Sequence, residues 1–380
     1  MPFFESLRKF ILSQICILIV GVTLVTSCSF NIPSDTKVYI VALGIGYQGD
    51  ASHLEGSVRD VAEFAAYYQH ILNTKGIKNE AYYMLNWGEN QSTDSTDWNS
   101  PYAPTRSKFE SVIAKIASRA SKNDLVVFLY SGHGLSMQLT LDMRPNTLDN
   151  GAFVLYDDAG NMGYLSNRDG LLTHQDFAAV MRTLPCHVVA IVDSCFSGHL
   201  ISAVNNGHIG QAVDGDPFDD YGGIAKYVPS FESLIKVPSI TAFVASTATQ
   251  SSWDSSTASF NGETHGLFLG NVLKDFGWEH NSKKLFTTIP AYDSSKDGNT
   301  SDASSPFGEY PITHSSLSVP YDVYGTAPDK STIINTLYTT NDIKLHTYTV
   351  KNVSEDGDKV VTVKQKALRS IGPCNVILAW

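Results

Sequence analysis

The stretch Val188-Val189-Ala190-Ile191-Val192-Asp193-Ser194-Cys195-Phe196-Ser197-Gly198 decides the fold. Five apolar residues, mostly β-branched, predict a strand buried on both faces of a parallel sheet. The run stops at small and polar residues that include a cysteine. An earlier run has the same design: Leu125-Val126-Val127-Phe128-Leu129-Tyr130, followed by Ser131-Gly132-His133-Gly134. Neighbouring strands of this kind would bring His133 and Cys195 out side by side at the carboxyl edge of the sheet, where open α/β sheets place their ligands. A thiol there, with an imidazole to take its proton, is an activated nucleophile.

Outward from these two strands the chain alternates strand and helix. Lys37 to Leu43 reads as a first buried strand, with Gly44-Ile45-Gly46 as a tight turn after it. Val58, Val61, Ala62, Ala65, Tyr68, Ile71 and Leu72 keep the spacing of an amphipathic helix. Ala81 to Leu85 is a second strand, and Asn86 to Pro104 a polar loop. Thr105 is an N-cap for a helix running to about Ser121. Gly151 to Tyr156 reads as a short hairpin-like strand, and Thr173-His174-Gln175-Asp176 as a variant capping box that opens a helix ending near Leu184. After the cysteine, Gly198 to Val237 forms a polar loop too long for mere connection. Ile240 to Ala245 is a further strand, and His265 to Phe276 a further helix. The fold class is therefore α/β, a mainly parallel sheet flanked by helices. Residues 281–308, rich in Ser, Asp, Thr and Lys, read as a flexible loop. Residues 309–380 read as a β-rich C-terminal extension with a hairpin turn at Ser354 to Asp358.

The 380 residues carry a formal charge of −11 and no basic tract, which argues against a nucleic-acid surface and favours cationic partners. At the N-terminus, Arg8 and Lys9 precede an apolar run from Phe10 to Thr26, the pattern of an export signal. It ends in Val25-Thr26-Ser27-Cys28, which resembles a bacterial lipobox and would make Cys28 the lipidated residue. Ordinary signal cleavage and an uncleaved anchor are the alternatives. Residues 1–28 are then signal and 29–36 a linker, and the body is expected outside the cytoplasm, membrane-anchored in the periplasm or at the cell surface. Of the five cysteines, this leaves Cys186, Cys195 and Cys374, an odd number that points to a free thiol. Cys186 could pair with Cys374 or be a buried apolar residue.

Taken together, Ser131-Gly132-His133-Gly134 and Asp193-Ser194-Cys195-Phe196-Ser197-Gly198 resemble the caspase-like cysteine peptidases, and the metacaspases most. Leu54-Glu55-Gly56-Ser57-Val58-Arg59-Asp60 is similar to the start of that family's first helix. The resemblance covers about Lys37 to Phe276, within a peptidase domain at 37–280. It implies His133 as general base, Cys195 as nucleophile, and an oxyanion hole at the backbone N–H groups of Gly132 and Cys195. It also implies Asp60 and Asp193 on the floor of the S1 pocket, which would select a cationic P1 side chain. A helix-start carboxylate stabilised by the helix dipole is the alternative for Asp60. Ser246 to Trp253 follows the last core strand and could form the wall beside the substrate, with Trp253 equally able to anchor the core.

Two departures stand out. Phe196 replaces the family's usual histidine after the nucleophile, which would adjust the pocket rim. Thr173-His174-Gln175 stands where many metacaspases carry an acidic pair for calcium. Asp157, Asp158, Asp214, Asp216, Asp219 and Asp220 offer oxygens, but acidic loops are more often simply solvated, and no dedicated metal site or cofactor is expected. Lys226 and Lys236, in the loop after Cys195, are candidate self-processing sites. The expectation is a cysteine endopeptidase that cuts peptides after Arg or Lys. A non-catalytic caspase-like surface lipoprotein that binds a partner, or a transpeptidase, would be the competing outcomes.

Overall fold

Strand alternation sorts the apolar residues of each core strand onto two opposite faces, and both faces are covered. In this computed structural model the chain is described at residues 29–30, 35–86, 96–136, 151–205, 239–256, 260–281, 285–295, 304–305, 308–309, 313–355, 359–370 and 375–379. The central sheet is built from β1 (Lys37–Ile45), β2 (Lys78–Asn86), β3 (Leu125–Ser131), β4 (His187–Asp193), β5 (Ile240–Val244), β6 (Thr313–Ser315) and β7 (Leu368–Arg369). Their order is β6-β2-β1-β3-β4-β5-β7. All pairings are parallel except β7 with β5.

Helices α1 (Ser57–Thr74), α2 (Arg106–Ala117), α3 (His174–Met181), α4 (His199–Val204) and α5 (Leu267–Asp275) flank it. Val38, Ile40 and Ala42 of β1 face α1 and α5, while Tyr39, Val41 and Leu43 face α2, α3 and α4. Every residue of β4 from Val188 to Val192 is fully buried. Removing one of these side chains, as in Ile191→Ala, would cost about 2–5 kcal/mol.

Local chemistry sets the helix starts. Thr105 caps α2 by accepting from the Lys108 N–H, and Thr173 caps α3 by accepting from the Asp176 N–H. The reciprocal half of the expected box is diverted, because the Asp176 carboxylate takes Arg106 at 2.9 Å instead.

Three expectations differ from what is seen. Gly198 begins a helix rather than a loop, and α4 packs Leu200, Ile201 and Ala203 into the core. Within the segment read as flexible, Leu285–Ile289 is a strand paired antiparallel with Tyr321–Gly325; the polar residues around it diluted its β-prone composition. In the β-rich C-terminal region, Thr347–Glu355 and Lys359–Lys366 pair as the expected hairpin, but β6 and β7 join the central sheet itself. Cys186 is a free, buried thiol, as the apolar reading of it required. Cys28, Cys374, Asp214, Asp216, Asp219, Asp220, Lys226 and Lys236 lie outside the described residues. Among the described residues, no helix is long and apolar enough to cross a membrane.

Candidate active site

Parallel register aligns the ends of β3 and β4, with Ser131 opposite Asp193. The ladder runs one bond further, from the Gly132 N–H to the Asp193 carbonyl oxygen at 3.2 Å. His133 and Cys195, each two residues past the last pair, therefore leave the sheet together and line one cavity of about 600 Å³. The turns pack so closely that a Cβ on Gly134 would lie 2.0 Å from the Cys195 carbonyl oxygen. Only glycine fits there.

Three groups outside the motif hold His133. Its Nε2 lies 2.6 Å from the Ser52 carbonyl oxygen. A carbonyl only accepts, so Nε2 carries the proton in the neutral ring and Nδ1 is left as the basic nitrogen. The ring stacks on Tyr47 with centroids 4.5 Å apart. The Tyr47 hydroxyl accepts the His133 N–H at 2.9 Å and donates to the Val154 carbonyl oxygen at 2.6 Å. The Tyr130 hydroxyl donates to the His133 carbonyl oxygen at 2.7 Å. Tyr47 adopts φ +55°, a left-handed conformation costly for an aromatic residue. Strain of this kind persists where the surroundings over-determine it. Burial pushes the His133 imidazole below its ordinary value, against the opposing pull of the Ser52 carbonyl and the Asp50 charge.

The Cys195 thiol is half-buried between its own turn and residues 250–254. Its Sγ accepts the Ser252 N–H at 3.3 Å and lies 3.7 Å from the Ser252 carbonyl oxygen. Burial pushes the thiol up; the Ser252 N–H pulls it down, and the Asp193 and Asp254 charges add to the rise. With the imidazole low and the thiol high, both are neutral near pH 7. Such a pair moves its proton when an electrophile arrives rather than holding a standing thiolate. Phe196 follows at φ +55°, its N–H donating to the Gln250 carbonyl oxygen at 2.8 Å.

The carboxylates divide differently from the expected pair. Asp193 lines the cavity. Its Oδ2 accepts the Leu269 N–H at 2.8 Å, at the N-terminus of α5, and its Oδ1 accepts the Ser252 hydroxyl. Burial, with the nearby Asp60 charge, raises its carboxyl to about 7. Asp60 does not reach the cavity. It lies behind Ser131, whose hydroxyl donates to it at 3.2 Å, and takes His265 Nδ1 at 2.8 Å and the Gly266 N–H at 3.0 Å. Burial opposes charge on both members of the Asp60–His265 pair. With three donors converging on Asp60, the carboxylate is the anionic partner, and its bond to His265 holds that imidazole above its ordinary value.

The cavity's other carboxylates are Glu55 and Asp254. Asp254 is brought in by the short antiparallel pairing of Asp254–Ser255 with His265–Gly266. Desolvation and the Asp60 charge hold it above the ordinary range, a rise that its solvent-exposed position limits. Gly266 separates the two inner carboxylates, since a Cβ there would lie 2.4 Å from Asp193 Oδ2 and 2.9 Å from Asp60 Oδ2.

Trp253 lines the cavity as expected of the wall. Ser246 does not; it is buried, donating to the Ser194 carbonyl oxygen at 3.0 Å and accepting the Ser197 N–H at 3.3 Å, so it braces the turn that carries the cysteine. The oxyanion donors also differ in availability, because the Gly132 N–H already serves the sheet. Asp157 and Asp158 are engaged locally: Asp157 accepts from Asn161 and Asn167, and Asp158 from the Thr105 and Ser107 hydroxyls. Among the described residues, no three metal-ligating side chains converge.

Tyr47, the Ser52 carbonyl and Asp254 were not legible in the sequence, and Ser252, inside the expected wall, carried no sign of its hold on Cys195 and Asp193. Tyr47 lies just past the Gly44-Ile45-Gly46 turn, at the same sheet edge as His133. A backbone carbonyl carries no sequence signal.

Residues 40–204 match the family described as metacaspase, peptidase C14 domain. Over 182 residues the chain is 26% identical to Metacaspase-4 of Arabidopsis thaliana, covering 47% of this chain and 38% of that protein. Over 237 residues it is 27% identical to Metacaspase-1 of Cryptococcus neoformans, covering 62% and 42% respectively. The chain thus spans about two fifths of the length of these relatives. Among solved structures, caspase-1 from Spodoptera frugiperda aligns with a TM-score of 0.32 and 13% identity, covering 67% of this chain and 74% of that one. A protein from Geobacter sulfurreducens aligns with a TM-score of 0.36 and 18% identity, covering 63% and 81%.

Proposed function

We propose that this chain, whose residues 40–204 carry a metacaspase-type peptidase domain, is a cysteine endopeptidase that hydrolyses peptides after Arg or Lys. The observation that carries this reading is the shared cavity, in which His133 and Cys195 stand over a buried carboxylate, Asp193. A P1 guanidinium or ammonium entering between Asp193 and Asp254 would meet two carboxylates whose mutual repulsion it relieves, and a bidentate Arg contact suits that geometry. An Asp side chain would add a further negative charge to an acidic pocket.

The reaction follows from the protonation states. As the Cys195 sulfur attacks the scissile carbonyl, its proton passes to His133 Nδ1, while the Ser52 carbonyl holds the ring through Nε2–H and stabilises the imidazolium. The carbonyl oxygen becomes an oxyanion, and the Cys195 N–H is the donor proposed for it. Such a donor typically contributes about 3 kcal/mol. Gly132 could add its N–H only by sharing it with the Asp193 carbonyl. Collapse breaks the C–N bond, the imidazolium gives its proton to the leaving amine, and a thioester remains. Water, deprotonated by the same imidazole, releases the acid and restores the thiol.

We further propose export and lipidation at Cys28, with a membrane-anchored location outside the cytoplasm; the sequence of residues 1–28 supports this. The test is hydrolysis of fluorogenic peptides bearing Arg, Lys, Asp or Asn at P1, with a Cys195→Ala control and with and without calcium. Turnover of Arg and Lys peptides that vanishes in the control supports the reading. Preference for Asp or Asn overturns the pocket assignment, and silence on every peptide overturns the activity.

A further inference from the structure

The antiparallel hairpin of the C-terminal region, far outside residues 40–204, reaches the loop that touches the cysteine. Near the end of its second strand, Lys359–Lys366, the side chain of Gln365 is fully buried. Its Oε1 accepts the Trp253 N–H at 2.9 Å, and its Nε2 donates to the Ser252 hydroxyl oxygen at 3.1 Å. This orientation of the amide is forced. A backbone N–H can only donate, so the oxygen must face Trp253 and the NH₂ must face Ser252. With its oxygen accepting from Gln365, the Ser252 hydroxyl is free to give its proton to Asp193 Oδ1, the bond that the structure contains. The backbone N–H of the same Ser252 donates to Cys195 Sγ at 3.3 Å. One residue along, the Lys366 N–H donates to Gln250 Oε1 at 3.0 Å, and the Gln250 carbonyl receives the N–H of Phe196. The hairpin therefore grips residues 250–253 at three points, Gln250, Ser252 and Trp253, the last two of which line the cavity.

From these contacts we infer that Gln365 is a positioning residue of the active site, which sets Ser252 so that one residue holds both the nucleophilic sulfur and the pocket carboxylate. The C-terminal hairpin is thereby part of the catalytic apparatus rather than an appendage. A donor aimed at sulfur favours the thiolate over the thiol. Losing the alignment of Ser252 removes that preference without touching Cys195 or His133.

The test reads the sulfur directly. In the full chain, the rate of Cys195 alkylation by iodoacetamide is followed by mass spectrometry across pH 6 to 10, which separates Cys195 from the buried Cys186. Gln365→Met keeps the volume and deletes both hydrogen bonds. Gln365→Glu keeps an acceptor for Trp253 but turns a second acceptor on Ser252, drawing its proton from Asp193. The expected result is a shift of the alkylation profile to higher pH in both variants, by about one pH unit. An unmoved inflection overturns the inference. So does uniformly faster alkylation at every pH, the mark of a hairpin that only shields the site. If Gln365→Met does not fold, Gln365→Glu decides alone; failure of both to fold assigns Gln365 to the fold and also overturns it. Peptide turnover is not read, so the outcome is independent of whether the peptidase assignment stands.

Discussion

Replacing Asp193 with Asn should make the protein relatively more stable as pH rises, at the cost of its function. Asp193 is 4% exposed, so solvent screens its charge little. Burial and the Asp60 charge raise its carboxyl from 3.8 to about 7. Between those values the folded state holds a proton that the unfolded chain releases. The stability this group contributes is therefore complete below pH 3.8 and lost as pH rises to about 7. At about 1.4 kcal/mol per pH unit, the part lost above pH 5 is about 3 kcal/mol. The amide of Asn does not titrate, so the loss disappears. At pH 5 the parent's carboxyl is itself protonated and, like the Asn amide, offers one carbonyl oxygen and one donor group to the Leu269 N–H and the Ser252 hydroxyl, so the two chains differ little there. His174, His187 and His199 are held below their ordinary range by burial and change stability with the opposite sign. They are common to both proteins and cancel in the difference.

The assay is urea unfolding followed by tryptophan fluorescence at pH 5 and pH 8. The Asp193→Asn chain is compared with its Asp193 parent, both in a Cys195→Ala background that prevents self-cleavage. The Asp193→Asn chain should match its parent closely at pH 5 and should gain about 3 kcal/mol relative to it by pH 8. In a background with Cys195 intact, it should lose turnover of Arg and Lys peptides. A stability difference that does not change with pH refutes the reasoning, because it would mean that Asp193 is ionised throughout and carries no electrostatic strain.

Two further outcomes follow from the histidine. Tyr47→Phe removes the hydroxyl that accepts the His133 N–H and donates to Val154, leaving that N–H unpaired while the Val154 carbonyl keeps the Tyr130 hydroxyl; stability should fall by about 1–3 kcal/mol, measured by urea unfolding, with kcat reduced more than KM is raised. The His133 ring, followed by NMR, should titrate below 6.5 because burial lowers it, while the acid limb of kcat/KM on Arg peptides should follow the ionisation of Asp193 near pH 7; a His133 titration above 6.5 would show that the neighbouring carboxylates, not burial, govern the imidazole.

How much was legible beforehand depends on whether a feature is local. The run Val188 to Val192 announces a buried parallel strand because every position must be apolar when both faces are covered, and the same holds for Leu125 to Tyr130. Equal strand design fixes that His133 and Cys195 leave one edge together. The caps at Thr105 and Thr173 were readable because a cap involves only residues three apart. The sequence by itself thus determined the core strands, their polarity and the common sheet edge at which His133 and Cys195 emerge. Only the tertiary structure decided which carboxylates face the cavity. Asp60 is turned behind Ser131 by His265, more than two hundred residues away, while Asp254 is carried in by a two-residue strand pairing. The hold of Ser52 on His133 and of Gln365 on Ser252 is of the same kind. Each is a hydrogen bond between groups that only folding brings together, and neither a backbone carbonyl nor a lone glutamine in a strand leaves a periodic trace in the chain.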